Sequence, residues 1–507
     1  MADTKREIER KFEFIKAKGA RRGLPDLTGT AAIAAVSDQG TVDLDAVYYD
    51  TPDQRLAADG LTLRRRTGGA DAGWHLKLPV SPGVRDEIAT PLSDTVPRPL
   101  AALLRSRVRD QELEPQVRLL SSRKVSHLLD ADGALLAELS TDTVRAERGG
   151  AAAAWTEVEV ELADGVDPAL LDAVEKTFRK AGLRVSDAPS KLARALVETD
   201  AAPPAKPPAA GPGDGTAGAH VLAYLREQLD ALIAQDPAVR RDLPDSVHQM
   251  RVASRRMRSA FKTHRGLLDR SATDPLGEEL RWLAAELGVD RDQEVLLERI
   301  RTRLDELPRT LQLGPVRARL RVWNTTRRSG SRRRALAALD SPRYLALLDA
   351  LDALLAEPPL LKPAAAPARE ALPEAVLHDY ERLAGRVGAA LALDPGHERD
   401  LALHEARKAA KRARYAAEAA VPALGKPAKR LAKSMKEVQT LLGDHQDSVV
   451  AREALRGIGA QAAGGGESAF TWGVLYAREE AIAECREREL PGIWAAASKQ
   501  ELRTALG

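Results

Sequence analysis

The 507-residue sequence predicts a multidomain protein: a β-sheet closed on itself around an ionic interior, followed by a duplicated all-α half. Three observations carry this. Short N-terminal segments alternate apolar and charged residues, with both signs of charge on the charged side. A Pro/Gly/Ala-rich stretch at residues 200–218 separates them from a region of helical periodicity. Within that region one cationic motif occurs twice.

In an extended chain, side chains alternate faces. Glu7, Glu9 and Lys11 therefore share one face of Glu7-Ile8-Glu9-Arg10-Lys11. Two carboxylates and an ammonium are poor core material. They suit a divalent cation beside a phosphate, because Mg²⁺ is usually held by one or two carboxylates plus phosphate oxygens. In Leu61-Thr62-Leu63-Arg64-Arg65-Arg66, Arg64 and Arg66 share a face with Thr62, while the leucines face away. His75 and Lys77 share a face of Trp74-His75-Leu76-Lys77-Leu78, and Ser121-Ser122-Arg123-Lys124-Val125 adds two cations. Glu157, Glu159 and Glu161 alternate with Val158, Val160 and Leu162. Arg65 and Lys124 fall off the main parity and read as surface residues. Any one such strand also fits a half-solvated antiparallel sheet. Several within one domain, with carboxylates at both ends of the set, favour a barrel whose cations grip an anion and whose carboxylates hold a metal on it.

Residues 200–218 are too rich in proline and glycine to pack and read as a partly extended linker between domains at 1–199 and 219–507. A second break, from Glu357 to Pro373, divides the helical half into repeat halves of about 219–355 and 374–507, and Gly464-Gly465-Gly466 marks a late loop. The helix carrying His248, Arg251, Arg255, Arg256 and Arg258 recurs 156 residues later with His404, Arg407, Lys408, Lys411, Arg412 and Arg414. Downstream, Leu287-Gly288 through Asp292 recurs as Leu442-Gly443 through Asp447, 155 residues on. Self-similarity of this kind predicts two equivalent units packed about a pseudo-twofold.

In each copy the histidine and the cations at i+3 and i+7 lie on one helix face. Like charges at i,i+4 cost roughly 0.2–0.5 kcal/mol per pair, so their presence in both copies points to an anion that neutralises them. Residues 309–334 add nine arginines and no acid (Arg309, Arg317, Arg319, Arg321, Arg327, Arg328, Arg332, Arg333 and Arg334), and Lys426, Lys429, Arg430, Lys433 and Lys436 line another helix. A solvated basic face is the plain alternative for each. For His248 and His404 the default is a buried, hydrogen-bonded ring. No third ligand at metal-binding spacing accompanies them, and donation to phosphate oxygens is the functional alternative.

Composition sets outer bounds. Net charge is only +3 with 30% charged residues, so the charge asymmetry is local. No apolar run could span a bilayer, and Met1–Glu7 lacks an apolar signal core. A single cysteine, Cys485, rules out a disulfide framework and fits a reduced, cytoplasmic protein. Aromatics at 4% leave no evident base-stacking platform, which argues against nucleic acid as a partner.

The N-terminal motifs, in order, resemble the CYTH family of triphosphate tunnel metalloenzymes. The resemblance covers about residues 3–197: Glu7-x-Glu9-x-Lys11, Tyr48-Tyr49-Asp50-Thr51-Pro52 with Leu56, Leu63-Arg64-Arg65-Arg66, Trp74-His75-Leu76-Lys77, Arg85-Asp86-Glu87, Asp142, Glu157-Val158-Glu159 and Ser190-Lys191. Leu76 stands where the family commonly has threonine. The resemblance implies an α+β domain built on an antiparallel tunnel barrel. It implies Glu7, Glu9, Asp142, Glu157 and Glu159 as ligands of a divalent metal, Mg²⁺ or Mn²⁺. Lys11, Arg64, Arg66, Lys77, Arg85, Arg123 and Lys191 would bind the triphosphate. The implied reaction is hydrolysis of inorganic or a related triphosphate, where positioning and charge neutralisation dominate.

The helical half resembles the CHAD family, the conserved histidine α-helical domain, over about residues 217–505. The two histidine helices, Tyr415, Glu418 and Gln439-Thr440-Leu441-Leu442-Gly443 carry the likeness. It implies two four-helix bundles that bind inorganic polyphosphate through His248, Arg251, Arg255, Arg256, Arg258, His404, Arg407, Lys408, Lys411, Arg412 and Arg414. Association with polyphosphate granules would follow. The competing expectations are a polyphosphate-binding scaffold without turnover, a nucleotide or thiamine triphosphatase, and an adenylate cyclase.

Overall fold

Strand β1 (Asp3–Phe14) is followed by β2 (Ala35–Asp50), α1 (Arg55–Ala58), β3 (Thr62–Thr67), β4 (Gly73–Ser81), β5 (Val84–Thr90), α2 (Arg98–Val108), β6 (Glu114–Leu129), β7 (Leu135–Arg148), β8 (Ala151–Leu162), α3 (Ala169–Lys180), β9 (Leu183–Val185) and α4 (Lys191–Glu198). This computed structural model describes residues 3–15, 23–200, 215–328 and 330–506. The chain divides into two units, Met1–Pro207 and Pro208–Gly507. Residues 201–214 of the linker, and the side chains of Asp292, Arg327 and Arg328, lie outside the described residues.

The antiparallel order β5-β4-β3-β2-β6-β7-β8-β1 closes through a β1–β5 pairing, and β9 adds to the end of β1. Strand β1 is the seam: Glu7 lies opposite Arg85 on β5, and Lys11 opposite Glu159 on β8. Closure leaves no free edge along the barrel wall.

The charged faces can point inward because helices take up the apolar faces outside. Helix α3 packs Leu170, Leu171, Val174 and Phe178 over Phe12, Leu139, Val158 and Val160. Phe12 meets Phe178 edge-to-face with ring centroids 4.8 Å apart, a favoured aromatic geometry. Helix α2 packs Leu100, Leu103 and Leu104 over Leu61, Leu63, Trp74, Leu76 and Ile88. Helix α4 differs. Its Leu192, Ala195 and Leu196 meet Leu119, Val144 and Trp155, which share strand parity with Arg123, Asp142 and Glu157. The interior is thus apolar where α4 covers it and ionic beyond. Ser190 caps α4, its hydroxyl accepting from the Ala193 amide at 3.0 Å, and delivers Lys191 inward. The conspicuous Asp50 proves to be a corner brace: its buried carboxylate accepts from the amides of Thr51, Leu56 and Ala57 at 2.7, 2.9 and 2.9 Å.

The second unit is α5 (Ala217–Arg240), α6 (Ser246–Thr263), α7 (Arg270–Glu286), α8 (Gly288–Asp305), α9 (Val316–Arg328), α10 (Ser331–Leu339), α11 (Pro342–Ala356), α12 (Ala368–Leu391), α13 (His397–Leu424), α14 (Lys426–Gly464), α15 (Phe470–Ala497) and α16 (Gln500–Thr504). Helices α5, α6, α7 and α11 share one core. Helices α12 and α13, the first half of α14 and the end of α15 share another. A third core joins α8 and α9 to the second half of α14 and the start of α15. The repeat halves therefore exchange packing: α8 and α9 are folded against helices of the second copy. The divergence sits at one equivalent glycine pair. Gly443 lies inside the continuous α14, whereas the chain breaks between α7 and α8 at Gly288. A Cβ at Gly288 would sit 2.9 Å from the Arg251 guanidinium. Among the described residues no helix is long and apolar enough to cross a membrane.

Candidate functional site

Inside the barrel the charges form two connected zones. In the first, Asp142, Glu157 and Glu159 are all buried and offer oxygens within 4.8 Å of one another. Lys191 inserts its ammonium among them, 2.9, 2.7 and 2.7 Å from the three carboxylates. Arg123 grips Asp142 with two bonds of 2.8 Å and reaches Glu159 at 3.0 Å. Lys11 donates to Glu159 and lies 3.2 Å from Glu9, and the Trp155 indole donates to Glu157 at 2.6 Å. Burial alone would raise the pKa of Glu159, but Lys11, Lys191 and Arg123 hold it well below the carboxylate range. Asp142 is lowered in the same way, burial being outweighed by Lys191 and Arg123.

The second zone faces it from β1, β3, β4 and β5. Lys77 donates to Glu7 at 2.6 Å. Glu87 stands 2.8 Å from His75 Nδ1, 3.5 Å from Arg64 and 3.9 Å from Lys77. Nε2 of His75 donates to the Asp71 carbonyl at 2.9 Å. Burial, reinforced by Glu87 and Glu161 and opposed by Lys77, pushes Glu7 up to about 7. Burial opposes the ionisation of Glu87 as well, yet its hydrogen bond to His75 and the charge of Lys77 hold it low. Arg66 is the least compensated cation: burial, Arg64 and Arg123 push its pKa down to about 9. Among the described residues the buried Nε of both Arg64 and Arg66 has no hydrogen-bond partner, and Arg66 reaches only to the exposed Asp71 carboxylate on the β3–β4 turn. Arg85 donates to the Pro189 carbonyl nearby.

The acid triad passes the chemical test for a hard divalent cation: three converging carboxylates, oxygen donors only, with cations beside them for phosphate. Glu9 adjoins this group through Lys11. Glu7 belongs to the other zone, paired with Lys77.

In the helical unit, α6, α12 and α13 line a depression of ≈ 460 Å³. Its lining includes Arg255, Arg258 and Lys262 of α6, Arg382 and Arg386 of α12, and His404, Lys408, Lys411 and Arg412 of α13. Arg412 is anchored to the buried Asp379 at 2.6 Å. Burial, with Arg407 and Arg255, pushes Lys411 down to about 8; burial with Arg258 lowers Lys262, and burial with Lys408 lowers His404. These depressions mark a surface carrying more positive charge than its own carboxylates neutralise. Arg256 and Arg414 lie outside the depression: both pair with Glu418, at 3.1 and 3.2 Å, and lie over Tyr415. Arg407 faces Asp447 at 3.4 Å and Arg251 the Gly288 carbonyl at 3.4 Å. His248 has its own partners and does not line the depression.

A further group, Asp400, His445 and Glu487, also has ligand-like geometry. Arg452 and Arg399 cover its carboxylates at 2.9 and 3.0 Å, so it is neutralised as a half-buried ionic cluster.

The CYTH domain family matches residues 5–196 and the CHAD domain family residues 223–456. Uncharacterized protein Rv2226 of Mycobacterium tuberculosis is 41% identical over 508 residues, covering 95% of this chain and 94% of that one. The chain belongs to the CYTH–CHAD family. Among solved structures, PptA from Streptomyces chartreusis is 24% identical, with a TM-score of 0.46 over 55% of this chain and 99% of that one. The CHAD domain from the plant Ricinus communis is 26% identical, with a TM-score of 0.42 over 56% and 91%. The barrel is thus a CYTH tunnel and the helical unit a CHAD domain, with a triphosphate-related function directed at phosphoanhydrides.

Several residues of the two sites escaped sequence reasoning. In the CYTH tunnel, Glu87 shares strand parity with Arg85 and was readable from that spacing. Asp71 sits on a turn and carried no signal. In the CHAD groove, Arg382 and Arg386 stand at i,i+4, and Lys262 continues the i+7 series from Arg255, so all three were readable as helix-face cations.

Proposed function

We propose that the CYTH tunnel hydrolyses inorganic triphosphate or a close relative with a divalent cation, and that the CHAD groove binds polyphosphate. One observation carries the first part: buried cations and buried carboxylates converge in a closed barrel, where Arg66 lacks full compensation and the Nε of Arg64 is unbonded among the described residues. Asp142, Glu157 and Glu159, adjoined by Glu9, would hold the Mg²⁺ or Mn²⁺ ion, which when bound makes hydroxide available near neutral pH by lowering the pKa of water.

The chain's own side chains do the rest. Arg64, Arg66 and Lys77 take phosphate oxygens from one side, and Lys11, Arg123 and Lys191 from the other. Each cation now held by a carboxylate exchanges that partner for a phosphate oxygen, so the tunnel is pre-charged and needs little reorganisation. Helix α4 keeps one end apolar and limits water there. In the groove, Arg255, Arg258, Lys408, Lys411 and Arg412 supply a run of positive charge suited to a polyanion of about one charge per unit. His404 is a further donor.

The test is phosphate release from tripolyphosphate, ATP, thiamine triphosphate and long polyphosphate by the full chain with Mg²⁺ or Mn²⁺, across pH 7 to 10. We expect tripolyphosphate to be turned over fastest and Glu9→Gln/Glu159→Gln to abolish release. No release above that variant on any substrate would reject hydrolysis and leave a binding protein. Polyphosphate capture by the parent but not by Arg255→Ala/Lys411→Ala checks the groove.

A further inference from the structure

We propose that Lys411 is a nucleophilic amine, acylated by acyl phosphates that the surrounding cations draw into the CHAD groove, and that this acylation weakens the groove's hold on polyphosphate. The regulatory half of this rests on the groove binding polyphosphate as proposed above. Lys411 differs from its neighbours. Lys408 is held by Glu405 at 2.6 Å and Arg412 by Asp379 at 2.6 Å, whereas Lys411 forms no hydrogen bond or ion pair among the described residues.

The charged groups around it are mostly of its own sign. Arg255 faces it from α6, and Arg407 and Arg414 from its own helix; of the acids nearby, Asp447 of α14 is already engaged with Arg407, and Glu405, which lines the same depression, with Lys408. Arg382 and Arg386 of α12, and Arg258, Lys262, His404 and Lys408, line the same depression. A half-buried lysine among cations is how proteins make an amine nucleophilic near neutral pH, because desolvation and like charge both favour the free base. Here they bring its pKa down to about 8. At pH 7.5 about a quarter of Lys411 is then free base, against about 0.1% for an ordinary lysine.

Acyl phosphates fit the remaining chemistry. Their phosphate is the anion the arginines attract, and their carbonyl is the electrophile. The Lys411 nitrogen lone pair attacks the carbonyl carbon and forms the amide bond. The carbon–oxygen bond to phosphate breaks, inorganic phosphate leaves with the electron pair, and the amine proton passes to solvent. No oxidant or further reactant is needed. The product is a neutral amide, which removes one positive charge from the groove.

The full chain is incubated with acetyl phosphate between pH 6.5 and 9.5, and acetylation of each lysine is timed by peptide mass mapping. We expect Lys411 to react at least ten-fold faster at pH 7.5 than the exposed Lys429 and Lys433, with a rate that levels off above pH 8 while theirs keeps rising. Tripolyphosphate should slow Lys411 but not the exposed Lys429 and Lys433, and Lys411→Arg should erase the signal. Equal rates for Lys411 and Lys429, faster labelling of Lys262 or Lys408, or a Lys411 rate that climbs unbroken to pH 9.5 would each overturn the assignment. Polyphosphate binding by the unmodified chain is measured separately. If it fails while Lys411 stays fast, the groove's ligand is wrong and the nucleophile stands; if it holds while Lys411 is slow, the nucleophile is wrong.

Discussion

Replacing Lys191 by methionine separates the role of its charge from that of its bulk. Its ammonium contacts three buried carboxylates at 2.7–2.9 Å, and those carboxylates hold its pKa far above the ordinary lysine value despite burial. Removing one partner of a buried ion pair costs about 3–5 kcal/mol, because the other charge stays buried and unpaired. At about 2–4 °C per kcal/mol for a unit of this size, the melting temperature of the CYTH transition should fall by about 6–20 °C in EDTA. A divalent cation should reverse most of that loss by neutralising the same oxygens, adding roughly 2.7 kcal/mol at a concentration one hundred times its Kd. Calorimetry of the full chain, with and without Mg²⁺ or Mn²⁺, reads both effects. The metal-induced rise should be larger in Lys191→Met than in the parent, since in the parent the metal must compete with the ammonium. A variant that melts within 2 °C of the parent in EDTA, or equal metal shifts in the two proteins, would refute the view that Asp142, Glu157 and Glu159 form one cation site.

Arg64→Gln and Arg66→Gln should each lower kcat/KM for tripolyphosphate about 10–150-fold, from the roughly 1.5–3 kcal/mol of a hydrogen bond to a charged group; steady-state phosphate release checks this. Asp71→Asn should do the opposite and lower KM two- to five-fold, because the exposed Asp71 carboxylate competes with the anion for Arg66. His264 is fully buried, and burial pushes its pKa down to about 4. The unfolded chain therefore binds the proton first: stability is complete above about pH 6.5 and declines as pH falls toward 4, by about 3 kcal/mol in all. Urea unfolding at pH 7.5, 5.5 and 4.5 should show a flatter pH dependence in His264→Phe. Arg255→Ala/Arg258→Ala should weaken polyphosphate binding about ten-fold in 100 mM salt and reduce its salt dependence, as removal of two phosphate contacts reduces counterion release.

The barrel was legible where period two was strict. The parities of β1, β3, β4 and β8 assign Glu7, Glu9, Lys11, Arg64, Arg66, Lys77, Glu157 and Glu159 to one face, and the structure puts them inside. What alternation cannot encode is which strands meet. That β1 pairs with both β5 and β8 decides that Lys77 holds Glu7 while Lys11 holds Glu159. Likewise, nothing local to α4 reveals that it covers one end of the barrel and inserts Lys191. In the helical unit the motif located α6 and α13 but treated its cations as one group. Each residue advances about 100° around a helix, so Arg256 leaves the stripe of Arg255 and meets Glu418 instead. The exchange of α8 and α9 onto the second copy depends on a helix break at Gly288, and Gly443 shows the same dipeptide inside an unbroken helix.

The two units treat buried charge in opposite ways, and this bears on how each would hold a polyanion. In the tunnel nearly every cation already has a carboxylate within hydrogen-bonding distance. An incoming triphosphate with its cation exchanges partners within a closed set, and the net charge inside changes little. Selectivity then comes from geometry: a guest must present oxygens to the Arg64/Arg66 side and the Lys11/Arg123/Lys191 side at once. In the groove the cations outnumber their partners, and burial together with mutual repulsion lowers the pKa values of Lys411, Lys262 and His404. Relief of that repulsion is indifferent to the order of groups along the ligand, so a groove that binds polyphosphate as proposed would recognise charge density and length. On the proposed function, then, the tunnel would act as a geometric filter and the groove as a charge-density filter.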